Sequence, residues 1–206
     1  VPDAFVGLVA GLTARLSGKA LDQAMEDELN AALPAGGEAF ESLVRACRDG
    51  IAAGWMCSQG EGRRRFGRVV QPGPATHGFS VDVVQIDDLA GPHHRHPNGE
   101  ICMIVPLDGK ARFDGRGAGW LVYGPGTAHR PTVSGGKAAV LYLLPGGAII
   151  DGKLNEVHDV DIRKPDEILE YVPHSWYKYA DEKLGLHPFD GITEAKFELG
   201  PKSKGT

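Results

Sequence analysis

Apolar spacing changes period once along this chain, near residue 60, and that change restricts the available folds more than any other feature. From residue 3 to about 57 the spacing is helical. Phe5, Leu8, Val9, Leu12 and Leu16 fall at i, i+3, i+4, i+7 and i+11; Leu21, Met25, Leu29 and Leu33 step by four; Phe40, Leu43, Val44, Cys47 and Ile51 repeat the first pattern. Three amphipathic helices are expected, broken at Gly18 and at Pro34 to Gly37, because Pro removes a donor and Gly tolerates positive φ. From about residue 64 the runs become short and rich in β-branched or aromatic residues: Phe79 to Ile86, Glu100 to Val105, Gly119 to Tyr123 and Ala138 to Leu144. Gly, Pro and Asp bound them about every ten residues, which predicts a sandwich or barrel. Nothing alternates in a βαβ manner.

Inside that strand region, Gly91 to Glu100 places His94 and His96 on one face of an extended segment, with Glu100 past a Pro-Asn-Gly turn. A second glycine-rich stretch, from Gly119, ends in His129. Three imidazoles and a carboxylate are a usual ligand set for a borderline divalent metal, so His94, His96, Glu100 and His129 are the expected ligands. Fe, Mn, Zn and Ni all accept such donors. His93 stands as the alternative to His94, since a slip of one residue exchanges the inward and outward faces of a strand.

The formal net charge of -5 excludes a general nucleic-acid binder, and Arg63, Arg64, Arg65 and Arg68 read as a solvated strand face. Cys47, Cys57 and Cys102 form no spaced pair that suggests a zinc site or a disulfide framework, which points to a reducing compartment. The apolar run Phe5 to Leu12 is far shorter than a membrane span, so no membrane association and a cytoplasmic location are expected.

These residues resemble the two cupin motifs: Gly, His-x-His and Glu, then a glycine-rich strand and turn ending in His. Gly91 lies closer to His94 than that pattern has it, eight residues separate Glu100 from Gly109, and Gly124 stands where Pro is usual. More narrowly, Arg95 to Ile101, Ala111 to Gly117, Gly119-Trp120, Ala128 to Val133 and Leu141 to Gly147 resemble a small cupin family, the 4-hydroxylaminobenzoate lyases. The similarity runs over roughly residues 1 to 148. It implies a mainly β fold: a cupin (double-stranded β-helix) barrel over 61–147, preceded by a helical segment over 1–60 and followed by an irregular tail over 148–206.

The implied reaction turns 4-hydroxylaminobenzoate and water into 3,4-dihydroxybenzoate and ammonia. It is redox-neutral overall, so neither nicotinamide nor flavin is needed. The metal would act as a Lewis acid on the hydroxylamino oxygen, with Glu100 as ligand or proton carrier. A benzoate also needs a cationic clamp, for which Arg112 and Arg130 are the candidates. Trp120, Tyr123 and Tyr142 are candidates to pack against the ring, and Cys102 either lines the pocket or is a buried inert thiol. Two further readings of the same ligand set are a ferrous dioxygenase of an aromatic substrate and a cupin that binds a small molecule without turnover. A homodimer is expected, paired through strand edges or through the N-terminal helices.

The tail has a different character. Ile149 to Asp161, Pro173 to Tyr179 and Leu186 to Thr193 resemble an internal piece of a nickel-iron hydrogenase large subunit. That metal centre is held by paired Cys-x-x-Cys motifs, and no cysteine follows Cys102 here. His158, His174 and His187 are therefore expected to be structural, and the tail to add no catalytic group. A natural fusion, a chimera and chance similarity are the three origins, and the length of the matching strings makes chance the weakest. Pro165 to Tyr171 is expected to be helical and the end of the chain disordered.

Overall fold

The computed structural model describes residues 1–151. The expected helix over Pro165 to Tyr171, the disordered end and the three tail histidines lie outside the described residues. The chain divides after Ile149, and the unit Val1–Ile149 is mostly β sheet with three α-helices in front of it.

Helices α1 (Asp3–Leu16), α2 (Gln23–Ala32) and α3 (Glu38–Ala52) follow the expected stripes. Phe5, Val9, Leu12 and Leu16 are buried on α1 and Phe40, Leu43 and Cys47 on α3. Leu8, assigned to the first stripe by its spacing, is 40% exposed and does not belong to the core. Each break has a local cause. Gly18 takes a φ of 73° just after α1, a region costly for residues with a Cβ. Asp22 caps α2 by accepting from the backbone N–H of Met25 at 3.0 Å.

Nine strands follow within this unit: β1 (Gln59–Glu61), β2 (Arg64–Val70), β3 (Phe79–Ala90), β4 (His94–His96), β5 (Glu100–Pro106), β6 (Arg112–Phe113), β7 (Gly119–Tyr123), β8 (Thr127–His129) and β9 (Thr132–Pro145). The large sheet runs β1-β2-β3-β9-β5-β7, with β6 also on β9, and β4 pairs separately with β8. Every pairing among these strands is antiparallel. Together they form the cupin barrel, behind the helices. β3 and β9 extend beyond the expected runs, β3 through a register shift between Asp87 and Leu89 and β9 back through Gly135-Gly136. Those glycines do not end the strand. A Cβ at Gly136 would run into the Asp108 carboxylate, which accepts from the N–H of Lys137 at 2.8 Å.

β5 and the second half of β9 are buried on both faces, so these strands read as continuous apolar runs. Along β5, Ile101, Met103 and Val105 face the helices, while Cys102 and Ile104 face the barrel interior. β9 divides the same way, with Leu141 and Leu143 toward the helices and Val140, Tyr142 and Leu144 inward. β7 sends Trp120 toward the helices and Leu121 and Tyr123 inward. Helix α2 closes the free edge of β7. Asn30 donates to the Trp120 carbonyl at 2.9 Å and accepts from its N–H at 3.0 Å, and Glu26 accepts from the Val122 N–H at 3.0 Å. Side chains thus satisfy backbone groups that a neighbouring strand would otherwise take.

Candidate metal centre

Strand β4 faces β8 in a register that pairs His94 with His129 and His96 with Thr127. Alternation along β4 turns His94 and His96 to the same side, and Gly99, at a φ of 83°, lets the chain reverse into β5 so that Glu100 enters beside them. A Cβ at Gly99 would lie 2.7 Å from the Tyr123 carbonyl, so the turn has no room for a larger residue. His94, His96, Glu100 and His129 each bring one donor atom to a group whose atoms all lie within 4.8 Å of one another. His94, and not His93, is the member of this group.

Three of the four are buried, His96 fully enclosed, Glu100 1% exposed and His94 7%, and His129 is half-buried. His94 Nε2 lies 3.1 Å from His129 Nε2, His96 Nδ1 3.4 Å from Glu100 Oε2, and His129 Nε2 3.7 Å from Glu100 Oε1. Enclosure and the neighbouring His94, His129 and His93 push the His96 imidazolium down to about 2, so this ring is neutral, the form that binds metals. Burial pushes the Glu100 carboxyl up to about 8, against the hydrogen bond from Cys102. Cys102 is the inward thiol of β5, donating to Glu100 Oε1 at 2.9 Å. Both ring nitrogens of His96 lack a hydrogen-bond partner. Buried lone pairs without donors, three imidazoles and a carboxyl converging on one point fit a divalent cation.

One participant has no motif to announce it. Asp114, in the turn after β6, accepts from His129 Nδ1 and from the Tyr123 hydroxyl, each at 2.6 Å through Oδ2, and from the Thr132 N–H at 2.7 Å through Oδ1. Burial raises its pKa, but the bonds from His129, Tyr123 and Thr132 outweigh that and hold the carboxyl below its usual range. Tyr123 packs on the cluster, its ring centroid 4.2 Å from His129 and stacked on His96 at 5.9 Å. Phe113 closes edge-on to His129 at 6.1 Å, with Tyr142 behind it at 6.1 Å.

The structure does not bring the two arginines into this group. Arg112 is exposed, alternates with the buried Phe113 on β6, and donates to the Gly115 carbonyl at 3.2 Å. Arg130 is exposed next to His129 in the chain. Trp120 is also outside, because it lies on the helix side of β7 with its indole N–H donating to the Leu33 carbonyl at 2.8 Å.

Comparison with known proteins adds two matches that overlap. The nickel-dependent hydrogenase model matches residues 114–205, and uptake hydrogenase large subunits carry the likeness. That of Azotobacter chroococcum is 66% identical over 64 residues, 31% of this chain and 11% of its own length. That of Rubrivivax gelatinosus is 50% identical over 94 residues, 43% of this chain and 15% of its own length. The chain therefore spans a small fraction of these relatives. Among solved structures, a cupin-like protein of unknown function from Ralstonia eutropha JMP134 aligns at a TM-score of 0.35 and 18% identity, covering 47% of this chain and 68% of that one. At that score the fold rests on the strand order and burial described above. The other family model, for 4-hydroxylaminobenzoate lyase, matches residues 7–150, which takes in helices, barrel and all four clustered donors: the chain belongs to the 4-hydroxylaminobenzoate lyase family.

Proposed function

We propose that this protein is a divalent-metal-dependent lyase that converts 4-hydroxylaminobenzoate and water to 3,4-dihydroxybenzoate and ammonia. The observation that carries the reading is the buried convergence of His94, His96, Glu100 and His129 in a chain of this family. Those four side chains would hold a divalent ion, and the chemistry it would supply is Lewis acidity toward the hydroxylamino oxygen. Glu100 takes the role of ligand or proton carrier in this reading, and Cys102 donates a hydrogen bond to one of its oxygens. Tyr123, Phe113 and Tyr142 pack beside the cluster and are the aromatic side chains we assign to contact with the benzoate ring. Arg130, exposed and next to His129 in the chain, is the guanidinium we assign to the substrate carboxylate.

The test is turnover under nitrogen. Metal-loaded protein given 4-hydroxylaminobenzoate should release ammonia and 3,4-dihydroxybenzoate in equal amounts without oxygen. A strict need for oxygen would instead identify a dioxygenase, and binding without any product a non-catalytic cupin. His96→Ala should lose both the metal and the activity; retention of both would refute the site.

A further inference from the structure

We infer that Asp114 is the residue that makes His129 a metal ligand, by fixing which of its ring nitrogens carries the proton; this rests on the metal reading above. An ionised carboxylate only accepts hydrogen bonds, whereas an imidazole nitrogen either donates or accepts according to tautomer. Asp114 Oδ2 lies 2.6 Å from His129 Nδ1, so that nitrogen bears the hydrogen. In the neutral ring the lone pair is then on Nε2, the atom that faces His94 and Glu100. Without Asp114 the opposite tautomer is open to His129, and it would turn an N–H toward the cation.

The local structure is arranged to hold this carboxylate in place. Asp114 has a φ of 46°, a left-handed conformation that Asp and Asn tolerate better than most residues. Its own N–H donates to the Thr132 carbonyl at 2.8 Å, while Oδ1 accepts from the Thr132 N–H at 2.7 Å. Oδ2 accepts from Tyr123 as well as His129, so all three donors converge on one side chain. An asparagine keeps the shape and the backbone tolerance but has a single accepting oxygen. It cannot meet the Thr132 N–H at one end and both the His129 N–H and the Tyr123 hydroxyl at the other.

Metal-free parent, Asp114→Asn and Tyr123→Phe are titrated with Co2+ and followed by visible absorption, with thermal unfolding of each metal-free form measured alongside. Asp114→Asn should weaken Co2+ binding by about 10- to 100-fold, the usual effect of losing a hydrogen-bond partner behind a ligand. Tyr123→Phe, which leaves the His129 bond intact, should bind near the parent level. Unchanged affinity in Asp114→Asn, with only a lowered unfolding temperature, would reduce Asp114 to a structural role and overturn the inference. Equal weakening in Tyr123→Phe would overturn it too, since the effect would then belong to the pocket in general. Long-range 15N spectra of the metal-free parent test the same point without a variant: His129 should show Nδ1–H, and an Nε2–H tautomer refutes the proposal. If the parent itself binds no Co2+, the metal reading fails before this one is reached.

Discussion

At the scale of single residues, the clustered donors were legible because their chemistry and spacing are local. His94, His96 and Glu100 lie within seven positions of one another, and only the choice between His93 and His94 needed the register of β4 against β8. Asp114 was not legible, because its place beside His129 depends on β6 pairing with β9, a contact between distant parts of the chain. Arg130→Ala should raise KM for the benzoate about tenfold with kcat little changed, as expected for a lost contact worth about 1.4 kcal/mol in ground and transition state alike. Steady-state kinetics check this, and an effect confined to kcat would count against a carboxylate clamp. The thiols make a separate case. Burial pushes Cys47 up to about 12 and Cys57 up to about 11, from 9.0. Thiolate is the reactive form, so neither should react with a thiol reagent at pH 8 unless the protein unfolds. The folded state binds these protons more tightly than the unfolded one. Stability from this source is complete below about pH 9 and is lost as pH rises toward 11 and 12, which urea unfolding across that range would show.

Among elements, the helices were read correctly as stripes because each buries one face, yet spacing alone could not say that Leu8, at the margin of its stripe, stays in solvent. The strands were harder to orient. A sheet covered on both sides has no polar face to reveal its alternation, so Trp120 and Tyr123 looked equivalent in sequence and lie on opposite sides of β7. Helix α2 illustrates a contact no periodicity predicts, since Asn30 reaches a backbone 90 residues away. Asn30→Ala leaves both the N–H and the carbonyl of Trp120 without these partners and should cost about 1–3 kcal/mol, measured as a lower urea midpoint at unchanged slope.

For the molecule as a whole, all four clustered donors lie within Val1–Ile149, and no helix among the described residues is long and apolar enough to cross a membrane. A chain ending at Asp151 should therefore keep metal binding, and the turnover proposed above, close to those of the full chain. Loss of activity in a truncated protein that still melts cooperatively would show that the hydrogenase-like segment contributes to the site. We propose a homodimer, which sedimentation would establish; with β7 closed by α2, strand-to-strand pairing of the large sheet is left to β1, at its other end. The same closure determines what an amide hydrogen-exchange experiment would measure. The N–H groups of Trp120 and Val122 are held by Asn30 and Glu26, not by a strand, so they exchange when the helix lifts away even while the barrel stays shut. Their protection relative to the amides of β5 is a direct reading of how firmly the helical layer is fastened to the barrel that carries the four clustered donors.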